Sequence, residues 1–245
     1  MFQSIGNYRE QKRLLEHALR LERERGNDCQ VALILHDLAD GNRRLGLLKE
    51  GIDQAREGLE IYERLGGAKG QGDCLLKLAM LLHGDKQLEA AEEAAFRAIK
   101  IFPAKGEEWG VCESHQILGV VYHSKGERGK AIHHFETALT TASSFGWATQ
   151  LFWIHHNLAV LFRDEHDFDK AHAHIEQARS YAIDHPYLLG RGIRGQAWIY
   201  RLQDRFEDSA SEALRALEIF EGLGAQRDVE SCKNLLRDIE QATNS

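Results

Sequence analysis

A spacing of about forty residues recurs along the chain and constrains its fold more than any other feature. Aligning LILHDLADGNRRLG, LLKLAMLLHGDK, HQILGVVYHSKG, HHNLAVLFRDEH and IRGQAWIYRLQD brings Ala39, Ala79, Gly119, Ala159 and Ala197 into one column, spaced 40, 40, 40 and 38. Twelve residues on stand Gly51, Ala91, Ala131, Ala171 and Ser209, and seven further on stand Gly58, Ala98, Ala138, Ala178 and Ala216. All fifteen are Gly, Ala or Ser. A fixed spacing that keeps side-chain size constant in three columns marks a physical repeat.

The residues before the first column are Leu38, Leu78, Leu118, Leu158 and Gln196, and three after it come Asn42, Leu82, Tyr122, Phe162 and Tyr200. A spacing of four is one helical face. Each unit therefore reads as a helix, a short polar turn such as SKGERG or RDEHDFD, and a second helix such as KAIHHFETALTTA. Where two helices cross, a small residue lets the backbones approach while a large neighbour fills the space beside it. One such hairpin cannot bury both of its faces, whereas stacked hairpins can. The ends fit this plan. Gly6 to Gly26 reads as an unpaired second helix, with Ala18 forty residues before Gly58. RDVESCKNLLRDIEQ carries Val229, Cys232, Leu235, Leu236 and Ile239 on one stripe, which suits a solvating cap. Beginning in mid-hairpin suggests a chain cut from a longer protein.

These residues resemble the tetratricopeptide repeat, whose first helix carries L-G-x-x-Y and whose second carries A-x-x-x-F-x-x-A. Leu118, Gly119, Tyr122, Gly126, Ala131, Phe135 and Ala138 follow that pattern in order, and Pro103 falls where the family often ends the second helix. Other units are looser: Asn42 replaces the aromatic, Gln196 replaces the leucine, and Ala55, Ala95 and Ala213 stand where Phe135 does. The family's usual period is nearer ~34 residues, so the excess implies longer second helices or longer loops between units. The fold expected is an all-α, right-handed superhelical solenoid of helical hairpins. A half repeat over 1–27 precedes repeats at 28–68, 69–107, 108–147, 148–186 and 187–224, and a capping helix with its tail fills 225–245. The wording of the units, among them GNRRLGLLKEGI, LLHGDKQLEAAEEAAFRAI, LFWIHHNLA and SEALRALEIFEGLGA, is similar to the repeat arrays of fungal NLR-like (STAND) NTPases. That resemblance implies a partner-sensing region following a nucleotide-binding module, and no such module lies in these residues.

Other motifs point away from chemistry. Gly190, Gly192 and Gly195 spell G-x-G-x-x-G, but the dinucleotide fingerprint needs a preceding strand, and DHPYLLGRGIRGQAWIY leads from a loop into a helix. Gly66, Gly67, Gly70 and Gly72 lack the Gly-Lys-Ser/Thr end of a phosphate loop and read as a flexible connector. Thirteen histidines include His133-His134, His155-His156 and the trio His166, His172 and His174. Adjacent helical residues diverge by about 100°, so none of these gives two ligands on one face. No nucleophile motif or strained elbow is present. No catalytic residue, cofactor or metal site is expected. A net charge of -7 gives no overall attraction to nucleic acid or an anionic membrane, and no apolar run approaches the ~18 residues of a membrane span. Cys29, Cys74, Cys112 and Cys232 lie far apart, and the charged opening is no secretory signal, so a reducing, cytoplasmic setting is expected.

The resemblance implies a ligand on the concave face, which the first helices line. By helical phase that face carries Asp40, Arg43 and Arg44, then Asp73, Met80 and His83, then Glu113, Gln116, Val120 and His123. The next two units give Trp153, His156, Val160 and Arg163, then Arg191, Arg194, Trp198 and Arg201. That basic, aromatic end suits an acidic or aromatic peptide. An ordinary solvated face with two partly packed tryptophans fits the same residues. His36 and Asp40 stand where the family's chaperone-tail clamp needs lysine and asparagine, which argues against that ligand. The function expected is a non-catalytic protein- or peptide-binding scaffold, with self-association of a structural module as the alternative.

Overall fold

A computed structural model describes residues 5–102 and 106–243. Pro103 and its expected role lie outside the described residues. The elements are α1 (Ile5–Glu24), α2 (Asp28–Leu45), α3 (Leu48–Leu65), α4 (Ala68–Gly84), α5 (Leu88–Ile101), α6 (Glu108–Ser124), α7 (Arg128–Phe145), α8 (Ala148–Asp164), α9 (Phe168–Ser180), α10 (Pro186–Leu202), α11 (Phe206–Gly222) and α12 (Gln226–Thr243). No strand occurs among the described residues.

The turns explain where the helices stop. Residues with positive φ recur about every twenty positions, at Gly26, Gly46, Gly66, Lys86, Gly106, Gly126, Gly146 and His166, and again at Asp204 and Gly224. At Gly46 the backbone N–H donates to the Arg43 carbonyl (3.2 Å) while the Leu47 N–H reaches the Asn42 carbonyl (2.8 Å). This reverses the chain and satisfies carbonyls that the helix end leaves open. Entry into the next helix is helped locally: the side chain of Asn27 accepts from Gln30 N–H, that of Asp167 from Lys170 N–H, and Pro186 opens α10.

All fifteen residues of the small columns are buried. Gly119 shows why. A Cβ there would lie 2.5 Å from the Phe135 ring, so the aromatic of the second helix occupies the space that the glycine of the first leaves open. At Gly51 the same test meets Leu81 Cδ2 at 2.7 Å. The two polar departures from the pattern each gain a side-chain hydrogen bond through the amide nitrogen, while Asn42 Oδ1 is buried without a partner among the described residues. Asn42, fully buried, donates to Gln54 Oε1 (2.8 Å), and Gln196 Nε2 lies 2.8 Å from His172 Nδ1. Such pairing is what allows a buried amide where an apolar side chain is usual.

The length beyond the usual period is not confined to second helices. First helices run to 17 or 18 residues, and α3 and α7 to 18. Only where the second helix is short, at α5 (14 residues) and α9 (13 residues), does a longer connection follow. The expected flexible connector is also corrected. Gly66 caps α3 and Gly67 opens α4, but Gly70 and Gly72 lie inside α4, and the ring of Phe102 fills the place of a Gly72 side chain. Gly190, Gly192 and Gly195 likewise lie within α10 and not before it, and they admit Phe220, Arg179 and Ile175 against the helix.

The chain divides into two compact units, Gly6–Thr141 and the residues from Ala142 onward, with the division inside α7. In the first unit α2, α4 and α6 neighbour one another as a row of first helices, with α2·α3 and α4·α5 as hairpins. In the second, α8, α10 and α12 form the corresponding row, with hairpins α8·α9 and α10·α11. Thus α12 stands in the first-helix row, where Val229 and Cys232 pack with Ile193 and Phe220, and Leu235 and Ile239 with Ala197 and Ala213.

Candidate ligand-binding face

In the first unit the first-helix face is built around one carboxylate. Asp40 on α2 pairs with Arg43 (3.1 Å) and Arg44 (2.7 Å) on its own helix and with Lys77 of α4 at 2.9 Å. Burial alone would raise the Asp40 pKa, but the three cations together hold it well below the usual carboxylate range. Asp73 and Glu113, half-buried on the same row, are pushed up instead, mainly by burial. His83 Nε2 lies 2.8 Å from Ser124 Oγ on α6. Burial, then Lys86 and His123, push its pKa down, so His83 is neutral at pH 7. Gln116 and His123 are half-buried on α6. Arg43 and Arg44 are therefore ion-paired within the face.

In the second unit helical phase places most of the expected residues together. Trp153 packs edge-on to His156 (ring centroids 5.8 Å), and the Arg191 guanidinium lies over the Trp153 ring at 5.1 Å. His156 is buried. Its pKa is pushed down to about 3 by burial first and then by Arg191, Arg194 and Arg163, so the imidazole is neutral within a field of three arginines. Arg194 donates to Asp228 at 2.6 Å, and Arg201 to Asp238 at 2.7 Å. Arg163 pairs with Asp164 at 2.6 Å. Trp198 of α10 is half-buried against the cluster of Leu235 and Ile239, which makes it a packing residue between α10 and α12.

One rule links these contacts. Asp40 and Lys77, Arg191 and Asp228, and Arg201 and Asp238 are each separated by 37 positions. Residues at that separation face each other across adjacent first helices. The acidic partners on α12 follow from this spacing, which the search for a forty-residue recurrence passed over.

The histidines hold a second feature that comparison of sequence neighbours missed. His115 Nδ1 lies 2.9 Å from His134 Nδ1, and His155 Nδ1 lies 3.0 Å from His174 Nδ1. Each pair joins a first helix to its second. His134 stacks on Tyr122 and His174 on Phe162, both with 4° between ring planes, and Lys130 and Lys170 lie over the same two aromatic rings at 4.9 and 5.2 Å. The signal in the sequence is recurrence at forty, 115 with 155 and 134 with 174. Among the described residues no group of three or more His, Cys, Asp or Glu side chains is placed to hold a metal ion. Cys112 Sγ lies 3.4 Å from the Ala138 carbonyl, and no described helix is long and apolar enough to cross a membrane.

Residues 113–145 match the tetratricopeptide repeat family, over the unit that carries Gly119 and Phe135. No curated protein sequence matches the chain. Among solved structures the chain is similar to BtubC (BKLC) from P. vanneervenii, at 20% identity and a TM-score of 0.65, covering 90% of this chain and 91% of that one. It is similar to a Rap protein complexed with Competence and Sporulation Factor, at 15% identity and 0.69, covering 97% and 71%. A third is a signal transduction ATPase with numerous domains and a tetratricopeptide repeat sensor, from Pyrococcus horikoshii, at 16% identity and 0.66, covering 97% of this chain and 37% of that one. The fold is therefore that of an all-α, tetratricopeptide-like array of helical hairpins.

Proposed function

We propose that the chain is a non-catalytic scaffold that binds a protein or peptide on its first-helix face, as the partner-sensing region of a larger signalling NTPase. One observation carries the binding reading. The small columns commit the inner faces of the hairpins to packing, while the first-helix row of the second unit keeps Trp153, Arg191 and Arg194 together and half-buried. Rigid aromatic and arginine side chains in that setting are the usual anchors of a protein interface. The likeness to a Rap protein solved with Competence and Sporulation Factor and to an ATPase with a repeat sensor supports the same reading.

The test is selection of displayed peptides against the full chain, followed by anisotropy with the winners. Trp153→Ala should weaken them about tenfold or more, and Lys86→Glu, in the turn after α4, should leave them unchanged. Light scattering without ligand should give a monomer at all concentrations. Concentration-dependent association with no peptide selected would favour self-association instead. A phosphate-loop domain in the same reading frame checks the NTPase context.

A further inference from the structure

We infer that Arg191, with Trp153 and His156 beside it, forms a binding site for a carboxylate of the ligand, because Asp228 engages only part of the paired arginines' donor capacity. This deepens the scaffold reading and rests on it. Two guanidiniums, Arg191 and Arg194, face one carboxylate. Arg194 takes Asp228 Oδ1 at 2.6 Å, and the Tyr187 hydroxyl donates to Oδ2 at 3.2 Å. Arg191 reaches Oδ1 through Nη1 at 3.5 Å, well beyond the ~2.8 Å of a charge-assisted bond. Its Nε is buried without a hydrogen-bond partner among the described residues, as is His156 Nδ1.

A cation with an unpaired N–H has lost water without a full return, and a second carboxylate supplies what is missing. Burial, and next the neighbouring Arg194, lower the Arg191 pKa, which fits an excess of positive charge. The side chain as a whole is 26% exposed although Nε itself is enclosed, so a ligand approaches from the open end of the guanidinium and meets Nε by turning that edge toward it. The Trp153 ring lies under the guanidinium, 5.1 Å from its centroid to Cζ, and Nε on the guanidinium edge has no hydrogen-bond partner among the described residues. That edge matches a carboxylate, either a Glu or Asp side chain of a peptide or a peptide C-terminus.

The experiment follows the Arg191 Nε–H resonance of the full chain during titration with three N-acetylated peptides. Hexaglutamate amide carries side-chain carboxylates alone, hexaglutamine free acid carries a terminal carboxylate alone, and hexaglutamine amide carries neither. At least one of the first two should shift the resonance saturably, and which one does so identifies the source. The third should not shift it. Arg191→Lys keeps the charge but lacks Nε, and should weaken the responding peptide about tenfold in anisotropy. Arg215→Gln, an exposed arginine paired with Glu212 at 2.6 Å, should leave it unchanged. An Arg191 resonance unmoved by both carboxylate peptides, or equal binding by Arg191→Lys, overturns the site. A selected peptide that binds wild type and Arg191→Lys equally would end the carboxylate inference and leave the scaffold standing. A carboxylate response with no partner on the first-helix face would do the reverse.

Discussion

At Gly119 a single missing methyl group sets the distance between two helices, because the Phe135 ring already occupies that position. Gly119→Ala should destabilise the protein by about 1–3 kcal/mol through overpacking. Denaturant unfolding checks it, and Phe135→Leu in the same background should recover part of the loss. The opposite sign is expected at the turns. Lys86, His166 and Asp204 adopt φ of 65°, 59° and 58° where the other turns use glycine. Replacing Lys86 or His166 with glycine should stabilise by about 0.5–1 kcal/mol, since only a residue with a Cβ bears the left-handed penalty. Unchanged melting temperatures would show that the turn geometry is relaxed in some other way. Both kinds of position differ in how far the sequence reveals them. The small columns were legible because close helix approach demands a small side chain in every repeat. Three of the left-handed positions were hidden because Lys, His and Asp carry no mark of their conformation.

Each helical hairpin from α6 to α9 carries a histidine pair, and the pairs give these elements a pH dependence. Burial first, then neighbouring histidines, push His134 and His155 down to about 4, and burial also lowers His115 and His174. Around the first pair stand Lys130, His133 and Glu92, and Lys170 faces the second. In the unfolded chain these imidazoles titrate near 6.5, so the unfolded state takes up protons first as pH falls. The stability contributed by the neutral pairs is therefore complete above about pH 6.5 and is lost between there and about pH 4. Moving from pH 7 to pH 5 should cost on the order of 2 kcal/mol for each of His134 and His155. Urea unfolding at the two pH values measures it. The double variant His155→Leu/His174→Leu should reduce the slope, and an unaltered slope would show that the pair stays hydrated. These pairs escaped sequence reading because their members sit 19 positions apart on different helices, while comparison of adjacent histidines tests a single helix.

On the scale of whole units, the first-helix row of the second unit depends on α12 for its charge balance and for its apolar cover. Deleting 227–245 would leave Arg191, Arg194 and Arg201 without Asp228 and Asp238, and would uncover Ile193, Ala213 and Phe220. Loss of stability and aggregation are expected, and a truncated chain that remains as stable and as soluble would show that α12 is an accessory tail. The repeat plan was legible because helical phase and a constant spacing set it, and the two together put the helix of Trp153 and His156 next to that of Arg191 and Arg194. The engagement of the arginines by α12 was not, because the lateral offset of 37 between adjacent first helices depends on how repeats stack. The central claim is that the ligand lies on the first-helix face. Hydrogen exchange of the full chain with a selected peptide tests it most directly: added protection should concentrate in α8, α10 and the start of α12, with α9 and α11 little changed. Protection concentrated in α9 and α11, with α8 and α10 unaffected, would contradict the account.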